Sequence, residues 1–408
     1  KSQMRATVTL SSEVMDTFNI MLPGAVVTGS SQGELVVDMM LNQPANFRLN
    51  SDLRGLEVSL PLISWRKPLL SSGNFLVVGI LGDVAQITEL EISVDGLEAK
   101  GTVALNADGT LNVVRFSRIQ ISDWLDAKVT LQGRGKGQPN SVSIEQGSVD
   151  LRGAAFGLNN GDGGPMRLRL EKLQITEGIA LHDFRGEFSG MDGFSGEFTG
   201  LVNGGPQVFG TVVEQEGQSV LHLRSNDAGG VIGAAGFIKN GLGGSLRLML
   251  RSENGVGTFD GELDVRDLRV RDVPAMAALL DSISVVGLLR QLDGQGIAFD
   301  EVDATFRLTP SEVIVTKASA VGPGLGISLD GIYTVASKQI DFQGVVSPFY
   351  LLNGLGAFLT RKGEGLIGFN FSLKGPSAAP VVSVNPLSAF TPGMFREIFR
   401  RAPPEVTQ

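Results

Sequence analysis

Apolar and polar residues alternate with a period of two along most of the chain. Phe259, Gly261, Leu263 and Val265 alternate with Asp260, Glu262 and Asp264. Phe306 and Leu308 sit between Thr305, Arg307 and Thr309. The same rhythm runs through Leu325, Ile327, Leu329 and Gly331, then Ile340, Phe342, Gly344 and Val346, then Ile367, Phe369, Phe371 and Leu373. Earlier, Met166, Leu168 and Leu170 alternate with arginines, and Leu246, Leu248 and Leu250 repeat the pattern. Successive side chains of a strand point to opposite faces, so each run reads as a strand with one apolar and one polar face. Turn residues separate the runs: Ala107-Asp108-Gly109, Asn159 to Gly164, Asn203-Gly204-Gly205-Pro206 and Asn240-Gly241. Asn-Gly and Asp-Gly supply the positive φ that hairpins need. The expected fold is mainly β, an antiparallel meander without βαβ units.

Three segments break the alternation. From Val273 to Leu292, Met276, Leu279, Leu280, Ile283, Val286 and Leu289 recur at helical spacing and predict one helix over 274–292. Asp272 is its expected cap, Pro274 suits its first turn and Gly294 lies just past its end. A second helix is expected over 349–362. A third is expected over 391–401, with Met394, Phe395, Ile398 and Phe399 on one face and Arg396, Arg400 and Arg401 on another. A boundary near 250–258 would divide the chain into 1–250 and 251–408. The same stretch reads equally as a hairpin turn inside one continuous sheet.

Composition narrows the function. The chain has 408 residues, 42% of them hydrophobic and 19% charged, which is enough to bury a core. A net charge of −9 without a basic run argues against nucleic acid, and Arg134-Gly135-Lys136 reads as a solvated turn. The 54 glycines without proline enrichment suit many strands joined by tight turns. With no cysteine, disulfides and thiolate metal sites are excluded, which suits a reducing cytosol or a periplasm alike.

Catalytic chemistry finds little support. His182 precedes Asp183, but neither it nor His222 has a triad or zinc context, and both read as strand residues. Gly363, Gly365 and Gly368 match a dinucleotide-type spacing but open a strand instead of a helix. Asp300, Glu301 and Asp303 read as a solvated strand edge, and Asn159 to Gly164 as a plain turn rather than a calcium loop. Two tryptophans and two tyrosines are few for a sugar cleft. No enzyme activity, cofactor or metal is expected. The aliphatic and phenylalanine stripes themselves have two readings, a packed core or the lining of a groove, and periodicity does not separate them.

Residues 220–400 resemble the AsmA-like superfamily of bacterial envelope proteins, in particular its YhdP branch. The resemblance lies in Ser225 to Gly230, Gly243 to Leu246, Val273 to Leu280, Ser284 to Leu289, Leu292 to Phe299, Ala320 to Gly326 and Gly344 to Asn353. Its most specific part is the tail, Gly375-Pro376, Pro380-Val381 and Val384 to Phe399. The resemblance implies an elongated, curled antiparallel half-pipe with a few short helices. It implies a periplasmic protein held in the inner membrane by a helix preceding Lys1, which conducts phospholipid passively between inner and outer membranes and supports outer-membrane integrity. The acyl-contact candidates are then Phe259, Leu263, Phe306, Leu308, Ile327, Leu329, Phe342, Phe369 and Phe371. Met394, Phe395, Ile398 and Phe399 would seal the groove end or touch a membrane. Expected partners are acyl chains, the two membranes at the ends and envelope proteins. The alternative is a packed β scaffold that conducts no lipid.

Overall fold

The computed structural model describes residues 2–13, 25–61, 65–82, 84–153, 163–190, 194–253, 257–283, 286–348, 362–365, 367–391 and 401–404. The expected helix over 349–362, except Lys362, and all of the third one except Thr391 and Arg401 lie outside these residues, as do most of Asn159 to Gly164. The chain is mainly β, 63% strand and 9% helix, so the alternation carries the fold class. It forms two compact units, Lys1–Gly200 and Leu201–Gln408.

The first unit holds β1 (Ser2–Ser11), β2 (Val26–Met39), β3 (Ala45–Ser51), β4 (Leu56–Leu60), β5 (Trp65–Lys67), β6 (Asn74–Leu81) and β7 (Gln86–Val94). It continues with β8 (Leu97–Leu105), β9 (Leu111–Ile121), β10 (Leu125–Gln132), β11 (Ser141–Asp150), β12 (Gly163–Gln174), β13 (Ala180–Gly190) and β14 (Ser195–Val202). Sequential neighbours pair from β1 to β3 and from β6 to β13, with β3 joined directly to β6. The start of β2 also pairs with β4, which pairs with β5, in a small side ribbon. Trp65 ties that ribbon to the β7–β8 turn by donating to the Asp95 carbonyl, 3.1 Å away. Lys67, 1% exposed, donates to the carbonyls of Leu56, Pro68 and Ser71 at 2.9, 3.1 and 2.6 Å. Burial pushes its pKa down, with Asp52 opposing.

The second unit holds β15 (Gln207–Gln215), β16 (Gln218–Ser225), α1 (Ala228–Ala234), β17 (Gly241–Leu242), β18 (Ser245–Ser252), β19 (Phe259–Val270), α2 (Pro274–Ser282) and α3 (Val286–Asp293). Then come β20 (Ile297–Leu308), β21 (Glu312–Val321), β22 (Leu325–Thr334), β23 (Gln339–Pro348), β24 (Phe369–Pro376), β25 (Val381–Asn385) and a 3-10 turn, Pro386–Phe390. The main ladder runs β15, β16, β18, β19, β20 and on to β25, all antiparallel.

Several expectations need correction. Within each unit the sheet is open and uncurled, and in the first it is mixed, because β11 and β12 run parallel. Alternation specifies the two faces of a strand, not the direction or tilt of its neighbour; a parallel step needs only a crossover connection. Ser252 pairs with Phe259, which fits the hairpin reading of the stretch near 250–258, and the compact units divide after Gly200. The expected single helix is two, α2 and α3. The first ends at Ser282, with Ile283 at its cap position, and the second begins at Val286; β-branched Ile283 and Val286 are weak helix formers. Asp272 does not cap α2: its φ is +46°, and the cap position is Val273, without a side-chain bond, followed by Pro274. Gly294 ends α3 as expected, donating to the Arg290 carbonyl.

Candidate functional site: an apolar sheet face half closed by helices

The ladder register assigns every strand residue to a face. In the second unit one row runs Leu250, Gly261, Phe306, Val315, Gly331, Phe342, Leu373 and Val382 across eight strands. Beside it lies the row Phe259, Leu308, Val313, Tyr333 and Ile340. Toward the other strand ends follow Leu248, Leu263, Ala304, Ala318, Leu329, Gly344, Phe371 and Val384, then Leu246, Val265, Val302, Ala320, Ile327, Val346 and Phe369. All nine acyl-contact candidates therefore share one face.

They do not share one environment. Helices α2 and α3 dock on the last two rows. Leu279, Leu280, Leu288 and Leu292 join Leu246, Val265, Ile327, Val346 and Phe371 in a closed core. Ile327 and Phe371 are buried within it, and Leu263, Leu329 and Phe369 pack against it. Phe259, Phe306, Leu308 and Phe342 lie outside that core and keep partial exposure. These four, with Val313, Val315, Tyr333 and Ile340, form an open apolar lane perpendicular to the strands. Across the five strands β19–β23, at about 4.8 Å each, it is roughly 19 Å long. Phe237, after α1, meets Tyr333 edge-on with ring centroids 6.4 Å apart at one side of the lane.

Phenylalanine and glycine make the lane smooth. Gly261 pairs with Phe306, Gly331 with Phe342 and Gly344 with Phe371. A Cβ added at these glycines would lie 2.3, 2.5 and 2.8 Å from the partner ring. Each ring lies over the bare backbone of its neighbour, an arrangement known to stabilise strand glycines.

The first unit carries a similar face. One row runs Val37, Phe47, Gly79, Ile87, Val103, Val114, Leu131, Val142, Met166 and Phe188, and a second Leu35, Leu49, Val77, Leu90, Gly101, Phe116, Val129, Ile144, Leu168 and Gly186. Many of these residues keep partial exposure, and no described helix of eight residues or more lies in this unit. Apart from Met166 and Leu168, none stood out in the sequence, because a single chain does not say which strands are neighbours.

The opposite face of the second unit is polar and partly covered. Arg401 lies across β23: its guanidinium meets the Asp341 carboxylate at 2.6 and 3.1 Å, and its backbone exchanges two hydrogen bonds with the Gln343 amide. The contact holds the Asp341 carboxyl below its ordinary pKa. Arg401, expected on the polar face of a terminal helix, is thus spent on the sheet. Glu364, 2% exposed, accepts from the Ser328 hydroxyl at 2.6 Å, and the Gly365 N–H donates to Ser347. Asp264, Glu301 and Asp303 converge within 4.8 Å, and Arg266 and Lys362 pair with them. Lys362 holds the Glu301 carboxyl below its ordinary pKa, with Arg266 adding to it. The cluster is mid-sheet, between β19 and β21, and so corrects the expected strand edge. His182 opposes Lys172 on β13, and His222 opposes Met249 on β16. Gly363 and Gly365 lead into β24, as the spacing argument expected.

No helix among the described residues is long and apolar enough to cross a membrane. No family model, no curated protein and no solved structure matches the chain.

Proposed function

We propose that the protein holds phospholipid acyl chains on its apolar sheet faces and lets them slide, as a passive lipid carrier of a cell envelope without enzymatic chemistry. The observation that carries the reading is the open lane of the second unit. Partly exposed Phe259, Phe306, Leu308 and Phe342 form a strip free of charge over consecutive strands. Contiguous apolar residues that keep partial exposure on one face suit a bound apolar ligand. A bilayer's hydrocarbon core is about 30 Å thick, so one leaflet's acyl chain spans about 15 Å, and a lane of roughly 19 Å takes such a chain along its length. Each buried methylene gains about 0.8 kcal/mol wherever it sits, so translation along a uniform strip meets no deep trap. The resemblance to the AsmA-like superfamily points the same way and adds a periplasmic setting, an inner-membrane anchor and transfer to the outer membrane.

A second reading has its own observation. Helices α2 and α3 close half of the same face in a dry core, as a scaffold would require. Native mass spectrometry of the purified chain separates the two, since co-purifying phospholipid supports the carrier. Photo-crosslinkers at Phe259, Phe306 and Phe342 should capture lipid, while those at Ile327, Phe371 and Glu262 should not. Equal labelling of both sets would defeat the carrier reading.

A further inference from the structure

We infer that the β2–β3 turn of the first unit is a membrane anchor whose Met39, Met40 and Leu41, with the neighbouring Leu81, enter the acyl layer of an electrically neutral bilayer. The inference deepens the acyl-holding reading and rests on it for where lipid goes next. Leu41 is 90% exposed, and Met39, Met40 and Leu81 are 41%, 41% and 46% exposed. The Gln43 N–H donates to the Met40 carbonyl and Asn42 takes a φ of +60°, which closes the turn with Leu41 at its corner. Leu81 comes alongside because Ala45 pairs with Leu81.

Three features select a bilayer as the occupant. The side chains project from a convex tip instead of lining a groove, so they offer no pocket to a protein segment, whereas fluid acyl chains adapt to any shape. From Met39 to Asn46 the chain has no charge, and Asn42, Gln43 and Asn46 supply neutral amides suited to the headgroup level. A tip without lysine or arginine has no means of selecting anionic lipid. Finally, the tip continues the sheet's apolar face: Met39, Val37 and Leu35 share that face on β2, and Leu81, Gly79 and Val77 share it on β6. A lipid displaced by the tip would find apolar surface directly beyond it.

The test is flotation of the whole chain with vesicles of phosphatidylcholine alone. The wild type should float, and added salt should not release it. Leu41→Asp should weaken partition about tenfold or more, the loss expected for one leucine withdrawn from an apolar phase. Its exposure leaves folding unaffected, which thermal unfolding checks, and Met40→Ser should give a smaller loss in the same direction. The inference is overturned if the wild type does not float, if Leu41→Asp floats equally, or if binding needs anionic lipid and disappears in salt. It is also overturned if Leu41→Asp merely converts a dimer to a monomer, since the tip would then be a self-association surface. Binding of a pyrene-labelled phospholipid diluted from detergent should persist in Leu41→Asp. If that binding fails in the wild type while flotation succeeds, the acyl-holding reading falls and the anchor stands.

Discussion

Replacing Phe306 and Phe371 by alanine, one at a time, sets the open lane against the covered half of the same face. The two rings sit in adjacent rows, and each lies over a glycine of the neighbouring strand. Phe371 is 5% exposed in the core under α2 and α3. Its removal leaves a cavity that the helices fill only in part, at a cost of about 3–5 kcal/mol. Phe306 is only partly buried and lies outside that core, so its removal should cost less, about 1–2 kcal/mol. The order should reverse for lipid. If the Phe306 ring touches three methylenes of a bound chain, its loss removes about 2.4 kcal/mol, or about fiftyfold in affinity. Denaturant unfolding followed by circular dichroism gives the first quantity, and titration with a pyrene-labelled phospholipid gives the second. The expected pattern is a folded Phe306→Ala with weak binding, and a destabilised Phe371→Ala whose folded fraction binds normally. Equal stability losses, with binding intact in Phe306→Ala, would mean that the lane is ordinary core and that the division drawn here is wrong.

Other perturbations follow from single contacts. Gly261→Val places a Cβ 2.3 Å from the Phe306 ring, so the ring must swing into the lane; lipid titration should weaken and unfolding free energy fall by about 1–3 kcal/mol. Lys67→Met leaves three carbonyls without their donor and should cost the first unit about 3 kcal/mol in denaturant unfolding. Asp341→Asn should cost under about 1 kcal/mol, because the pair with Arg401 is largely exposed. The pH dependence has a definite sign. The Asp341 pKa is lowered on folding, so its contribution is present above the ordinary carboxylate value of about 4 and disappears as pH falls through the lowered one. Wild type and Asp341→Asn should therefore converge in strong acid; a gap that widens there would overturn the assignment.

What the sequence discloses depends on how local the cause is. Strand identity was legible because alternation is a property of neighbours in the chain, as at Phe259 to Val265 or Phe369 to Leu373. The helical stripe from Met276 to Leu289 was legible for the same reason, though its break after Ile283 turned on weak propensities. Helix α1 was not foreseen, since Gly229, Gly230 and Gly233 are among the poorest helix formers. Its reason is tertiary: a Cβ on Gly229 would lie 2.2 Å from the Leu242 nitrogen, so the helix rests directly on the β17 backbone. Asp227 fixes its start by accepting from the Gly230 N–H at 3.0 Å. The parallel step from β11 to β12 is equally non-local. So is the rest of the candidate site, because the rows of the first unit exist only once Val37 is known to face Phe47 and Phe47 to face Gly79.

The same distinction explains why the nine candidates divided. Alternation places a residue on a face but is silent about what lies above that face. Phe306 and Phe371 have the same local pattern, the same residue type and the same glycine partner across the ladder. Only the return of residues 274–293 over one end of the strands makes one of them core and leaves the other open. A helix pair that covered the whole width would give a plain two-layer domain, and no helix at all would leave an aggregation-prone sheet. Half cover does something different: it anchors the second unit with a dry core while leaving an apolar strip of constant chemistry alongside. On the proposed carrier reading, folding energy and ligand contact would be supplied by different rows of one sheet, and lipid would enter or leave the lane without repacking the core.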